Sequence, residues 1–122
     1  MIGAVMSKLT DHYRDVGPGW SAILTMLHTE LQQVAPDYKV IQVKEKFGGL
    51  RAYISTPDGG EFPAQISPVH REALALEYKY EAASQYVCEQ CGQLGTNRPD
   101  ASGWYKTFCE LHHGQSEEMS GP

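Results

Sequence analysis

All three cysteines of this chain stand in one C-terminal stretch, and their spacing constrains the fold more than any other feature. They read Cys88-Glu89-Gln90-Cys91-Gly92 and then, after 17 intervening residues, Cys109-Glu110-Leu111-His112. A C-x2-C pair followed by a C-x2-H pair is the spacing of a tetrahedral zinc site. Each two-residue gap lets one tight turn aim two side chains at one ion, and thiolates are soft donors that suit zinc. Gly92, directly after the second cysteine, permits the sharp backbone turn of a zinc knuckle because it carries no Cβ. Cys88, Cys91, Cys109 and His112 are therefore the expected ligands of a structural Zn2+. His113 offers a second imidazole one residue later, so it stands as the alternative fourth ligand. Four protein ligands close the shell, whereas a catalytic zinc keeps one position for water. Glu89 and Glu110 adjoin ligands and could act as a base only if one ligand were missing. The zinc deaminases' combination of His-x-Glu before a Pro-Cys-x-x-Cys is absent.

Trp104-Tyr105-Lys106-Thr107-Phe108 reads as a short strand returning from a hairpin begun near residues 93–97, with Cys109 and His112 on the closing helical turn. Knuckle, hairpin and ligand-bearing turn resemble the treble-clef zinc finger over about residues 86–113.

The whole chain has 122 residues, enough for one small domain. No apolar run approaches the roughly 18 residues of a membrane span, and the start lacks the basic and apolar regions of a signal peptide. An odd cysteine count with metal spacing points to reduced thiols in a cytosol. Net charge is −5 and unevenly distributed. Residues 1–37 carry −2, residues 38–55 carry +3 and residues 56–122 carry −6. An acidic chain repels nucleic acid, apart from that one basic island.

Residues 1–19 are expected to form an arm, with a short helix over 7–16 capped by Ser7 or Thr10 and broken by Gly17-Pro18-Gly19. Trp20, Ile23, Leu24, Leu27, Leu31 and Val34 recur at spacings of three and four, which predicts a helix over 20–34 with one apolar face. Pro36 ends it. Residues 38–56 predict a β-hairpin with Gly48 and Gly49 central in a type I′ turn. That register sets Phe47 opposite Leu50, Glu45 opposite Ala52 and Val43 opposite Ile54. Its inner face is Ile41, Val43, Phe47, Leu50, Ala52 and Ile54, with Glu45 intruding and expected to meet a rim cation. A loop over 57–66 follows. Ser67 as N-cap and Pro68 at the first helical position open a second helix over 67–87. Its expected apolar stripe is Val69, Ala73, Leu76, Tyr80, Ala83 and Val87, widened by Leu74 and Tyr78. Residues 114–122 read as a flexible tail. The fold class is α+β: two helices packed on a hairpin, closed by the zinc module over 88–113, all within one domain of residues 1–113. Two strands alone are marginal, so an extra strand from the module or from a second copy is expected to complete the sheet.

The outer face of the hairpin gathers Lys44, Lys46, Arg51 and Tyr53 into a cationic, aromatic strip, with Lys46 expected opposite Arg51. The strip suits an anionic or carboxylate-rich partner surface. The competing reading is a solvated hairpin whose charges are answered by Glu45 or by the acids of residues 72–81.

Gly-Trp before the first helix, Gln42-Val43-Lys44-Glu45-Lys46-Phe47-Gly48-Gly49-Leu50-Arg51, and Cys-Glu-x-Cys-Gly…Gly103-Trp104…Cys109-x-x-His112 together resemble a group of small uncharacterised proteins of bacteria and their phages. The likeness spans about residues 19–113, suggests a bacterial or phage cytosolic setting and assigns no chemistry; by analogy with small acidic phage proteins that bind and block a host protein, the expected partner is a bacterial protein. The leading expectation is a non-enzymatic protein-binding module, such as a phage-type inhibitor of a host or defence complex, CRISPR effectors included. A nucleic-acid-binding zinc protein using Lys44, Lys46, Arg51, Arg98 and Lys106 is the alternative, and a metal-dependent hydrolase the third.

Overall fold

The computed structural model describes residues 8–57 and 67–113. The start of the arm with Ser7, most of the 57–66 loop and the 114–122 tail lie outside the described residues. The order is α1 (Ser21–Val34), β1 (Lys39–Lys46), β2 (Gly49–Ser55), α2 (Pro68–Ser84), β3 (Thr96–Pro99) and β4 (Tyr105–Phe108). The strands form two separate antiparallel hairpins, β1–β2 and β3–β4. A helical turn over residues 110–113 closes the described chain.

Helix α1 follows its sequence pattern. Ile23, Leu24, Leu27 and Leu31 are buried along one face, with Trp20 just before them and Val34 half-buried at the end. They share one core with Val43, Leu50, Ala52 and Ile54 of the hairpin and with Leu9, Tyr38, Ala73 and Tyr80. The helix stops at Val34, and Ala35 N–H closes its last turn on the Leu31 carbonyl.

Residues 8–19 are part of the body rather than an arm. Instead of one helix they make short 3-10 turns at Leu9–Asp11, Tyr13–Asp15 and Pro18–Trp20. Leu9 is fully buried. Its N–H donates to the Tyr38 hydroxyl at 2.9 Å, and that hydroxyl lies 2.6 Å from His28 Nδ1. Lys8 Nζ donates to the Pro36 and Tyr38 carbonyls at 2.6 and 2.9 Å and stands over the Tyr38 ring. A long-range hydrogen-bond knot of this kind leaves no periodic trace in sequence.

The first hairpin turns one residue earlier than expected. Lys46 pairs with Gly49, so Phe47 and Gly48 are the central residues. Both take the positive φ that a type I′ turn requires, 56° and 78°. Phenylalanine in this region costs on the order of 1–2 kcal/mol. Contacts from the second hairpin offset that cost. Asn97 Nδ2 donates to the Phe47 carbonyl at 2.9 Å, and Thr107 Oγ1 donates to the Gly48 carbonyl at 2.6 Å. Gly48 also backs directly onto the Lys106 main chain, where a Cβ would not fit. Phe47 therefore faces solvent, 57% exposed, instead of joining the inner face. Ile41 is likewise exposed, because a bulge between Val40 and Gln42 reverses the alternation and turns Val40 inward.

Helix α2 begins as read: Ser67 Oγ accepts the His70 N–H, and Pro68 occupies the first turn. Its buried face differs from the expected stripe. Val69, Tyr78 and Ala83 are exposed, while Ala73, Glu77, Tyr80, Glu81 and Ser84 are buried. Three of those polar groups cover the outer edge of β2. Leu50 N–H donates to Ser84 Oγ at 2.8 Å, Ala52 N–H to Glu81 Oε2 at 3.1 Å, and Ile54 N–H to the Glu77 carboxylate. A spacing of four and three on the helix matches every second residue of the strand. The helix thus satisfies main-chain donors that a two-stranded sheet would otherwise leave open. The expected third strand is therefore absent among the described residues, and a helix face takes its place on that side.

Candidate metal centre

The knuckle starts where α2 ends. Cys88 follows the last turns of that helix, and its N–H donates to the Gln93 carbonyl, while Gly92 N–H returns to the Cys88 carbonyl. Gly92 takes a φ of 84°, which only glycine adopts readily. Cys109 stands at the end of β4, and the following turn closes by a bond from His113 N–H to the Cys109 carbonyl. The β3–β4 register, Thr96 with Phe108 through Pro99 with Tyr105, brings that strand end beside Cys88 and Cys91. Strand β4 matches the expected strand, and its partner β3 begins at Thr96, late in the expected span.

The side chains of Cys88, Cys91, Cys109 and His112 present donor atoms that all lie within 4.8 Å of one another, and they could hold a metal ion. Cys91 Sγ and Cys109 Sγ are 3.7 Å apart; His112 Nδ1 lies 3.4 Å from Cys88 Sγ and 3.2 Å from Cys109 Sγ. Zinc bonds of about 2.3 Å to sulfur and about 2.0 Å to imidazole nitrogen set tetrahedral edges of about 3.8 and 3.6 Å. The donor set fits such an ion. Electrostatics prepare it: burial opposes ionisation of Cys88, but N–H groups of Cys109, Cys91 and Gln90, with His112, draw its thiol down to about 6. Gln93 N–H favours the Cys91 thiolate, yet desolvation and the neighbouring Cys109 and Cys88 sulfurs outweigh it and raise that thiol. Crowded sulfurs of this kind call for a cation between them.

The two histidines separate. His112 joins the cluster, whereas His113 is buried, with Nε2 2.8 Å from the Thr96 carbonyl and its ring edge-on to Phe108. It ties the final turn to β3. Of the two flanking carboxylates, Glu110 is exposed. Glu89 is buried and accepts Thr107 N–H at 2.9 Å, with burial raising its carboxyl above the usual range.

One structural element of this centre escaped sequence reasoning. Gly17-Pro18-Gly19 was expected to break a helix; instead it seats the knuckle. Gly19 N–H donates to the Glu89 carbonyl at 2.7 Å, and a Cβ at Gly17 or Gly19 would overlap the main chain of residues 88–89. Trp20 Nε1 donates to the Val87 carbonyl at 2.9 Å. The ligand loop is thereby fastened to the start of α1, about seventy residues away in sequence. The only local signal was the cluster of glycines beside a tryptophan.

The basic strip is present but rearranged. Lys44 pairs with Arg51 and Gln42 with Tyr53, so Lys44, Lys46, Arg51 and Tyr53 stay on one face while Lys46 meets Gly49 rather than Arg51. Arg51 reaches Glu81 at 3.8 Å, and Lys106 pairs with Glu45 at 3.1 Å. Glu45 is thus a rim carboxylate with a cation, as expected, and it also accepts Gly48 N–H at 2.7 Å. Among the described residues no carboxylate lies within ion-pair distance of Lys39, Lys44 or Lys46. No described helix is long and apolar enough to cross a membrane. Comparison with known protein families, curated proteins and solved structures finds no match for this chain.

Proposed function

We propose that this chain is a non-enzymatic protein-binding module held together by a structural Zn2+ on Cys88, Cys91, Cys109 and His112, in a treble-clef-like arrangement. The bound ion would cross-link α2, the β4 end and, through Gly19 and Trp20, the start of α1. One observation carries the reading. Glu89 and His113 beside the metal centre are engaged in holding the fold, while Lys39, Lys44 and Lys46 of the first hairpin have no carboxylate within ion-pair distance among the described residues. Four protein donors fill a tetrahedral shell and leave no position for a water. Glu89 is bonded to the β4 main chain and His113 to β3. Lys44, Lys46 and Tyr53 are the contact residues proposed on the strip. Arg51 is answered by Glu81, as the competing reading of the strip has it.

The resemblance read from the hairpin and knuckle motifs suggests a bacterial partner in the cytosol. A host or defence complex, CRISPR effectors included, is the target class. The test is a pull-down from bacterial lysate with the zinc-loaded chain, with and without nuclease. A stoichiometric protein that survives nuclease and is lost with Lys44→Glu plus Lys46→Glu is the expected result. Recovery of nucleic acid alone, removed by nuclease, would replace this reading with the nucleic-acid one.

A further inference from the structure

The two edges of the first hairpin are treated differently. Along β2, side chains of α2 take the N–H groups of Leu50, Ala52 and Ile54. Along β1 nothing comparable occurs among the described residues. Lys46 with Gly49, Lys44 with Arg51 and Gln42 with Tyr53 are the hydrogen-bonded pairs next to a two-residue turn, so the N–H and C=O of Val43 and Glu45 point away from β2. Among the described residues no other main chain bonds to residues 39–46, and no side chain bonds to their backbone. An open strand edge is a template for another extended chain.

Charge selects which chain. Among the described residues Lys39, Lys44 and Lys46 of β1 have no carboxylate within ion-pair distance, whereas the strand's one acid, Glu45, already holds Lys106. A second copy would bring three more lysines to the same edge, which like-charge repulsion disfavours. Lys44 and Lys46, two residues apart on one face, match acids at alternate positions of an added strand. Beyond Lys46 the edge leads to a cleft of about 480 Å3 lined by Lys46, Phe47, Trp104 and Tyr105 among others. Phe47 and Trp104 are 57% and 66% exposed there. Asp100 at its rim accepts Ser102 and Trp104 N–H groups, and Lys46 there has no carboxylate within ion-pair distance among the described residues. We infer that the open edge of β1 binds an extended peptide segment with alternating acidic residues by strand addition, anchoring an apolar side chain of that segment in the Phe47–Trp104 cleft.

The inference rests on the binding-module reading and names its chemistry. The probe is a displayed library of random ten-residue peptides, selected on the full zinc-loaded chain. Enriched peptides are expected to carry Asp or Glu at alternate positions and a large apolar residue at one end. They should slow hydrogen exchange of the Val43 and Glu45 amides by tenfold or more, and bind the Lys39→Glu, Lys44→Glu, Lys46→Glu triple variant at least tenfold more weakly. The neutral Lys→Gln set at the same positions replaces that variant if it fails to fold. Overturning results are no enrichment, enrichment without acidic alternation, or protection of amides elsewhere. A lysate partner that leaves Val43 and Glu45 amides exposed overturns strand addition while the binding-module reading stands. Peptides that bind and protect as expected, beside a lysate that yields only nucleic acid, support the edge chemistry and remove the proposed function.

Discussion

Helices α1 and α2 are of similar length and both serve the same small hairpin, yet one announces its buried face and the other conceals it. Helix α1 buries Ile23, Leu24, Leu27 and Leu31, an apolar stripe at helical spacing. Helix α2 buries Glu77, Glu81 and Ser84 alongside Ala73 and Tyr80, and leaves Val69, Tyr78 and Ala83 exposed. The difference lies in what each helix faces. α1 meets the face of the hairpin, where side chains present hydrocarbon and only area matters. α2 lies along the β2 edge, where the strand presents bare N–H groups and only an acceptor stabilises the contact.

The largest effect should come from the candidate metal centre, whose knuckle follows α2 and is fastened to the start of α1. A strong chelator, or Cys91→Ser, should unfold the C-terminal module and release the end of α2. Structural zinc sites of this kind contribute apparent binding energies of about 10–16 kcal/mol to folding. A chelated chain with an unchanged melting profile would refute the structural zinc.

Next is Leu27→Ala, which opens a cavity in the fully buried stripe and should cost about 2–5 kcal/mol in denaturant melts. Glu81→Ala should cost less, about 1–3 kcal/mol, by stranding the buried Ala52 N–H and the Arg51 cation. If Glu81→Ala were neutral, the edge-capping account of α2 would be wrong.

A pH series sharpens the same contrast. Burial and the Glu81 charge push Glu77 up to about 8, against the Ile54 N–H that lowers it. Its ordinary value is 4.5, so between about pH 4.5 and 8 the folded chain holds a proton that the unfolded chain has released. Stability contributed by the protonated carboxyl is present in acid and lost as pH rises through that window. Glu77→Gln should therefore flatten the decline in Tm across it relative to the wild type. An identical slope in both proteins would count against a buried, protonated Glu77. The smallest effect belongs to the stripe that sequence suggested for α2. Val69→Gln and Ala83→Gln should each change stability by no more than about 0.5 kcal/mol, whereas a loss above 1 kcal/mol would restore that stripe as core.

What the sequence determined is whatever depends on short spacing: the four candidate metal donors, the α1 face, the Ser67-Pro68 helix start and the existence of the first hairpin. Periodicity and ligand spacing are local, so they can be read directly. Tertiary structure decided the rest. It chose His112 over His113, because Thr96 takes the second imidazole. It moved the turn to Phe47 and Gly48, because Asn97 and Thr107 bind those carbonyls. It turned Gly17 and Gly19 from a helix break into the seat of the knuckle, and it buried acids on α2 because a strand edge needs acceptors. Each of these depends on hydrogen bonds between residues far apart in the chain, and such pairings become visible only when the fold brings them together.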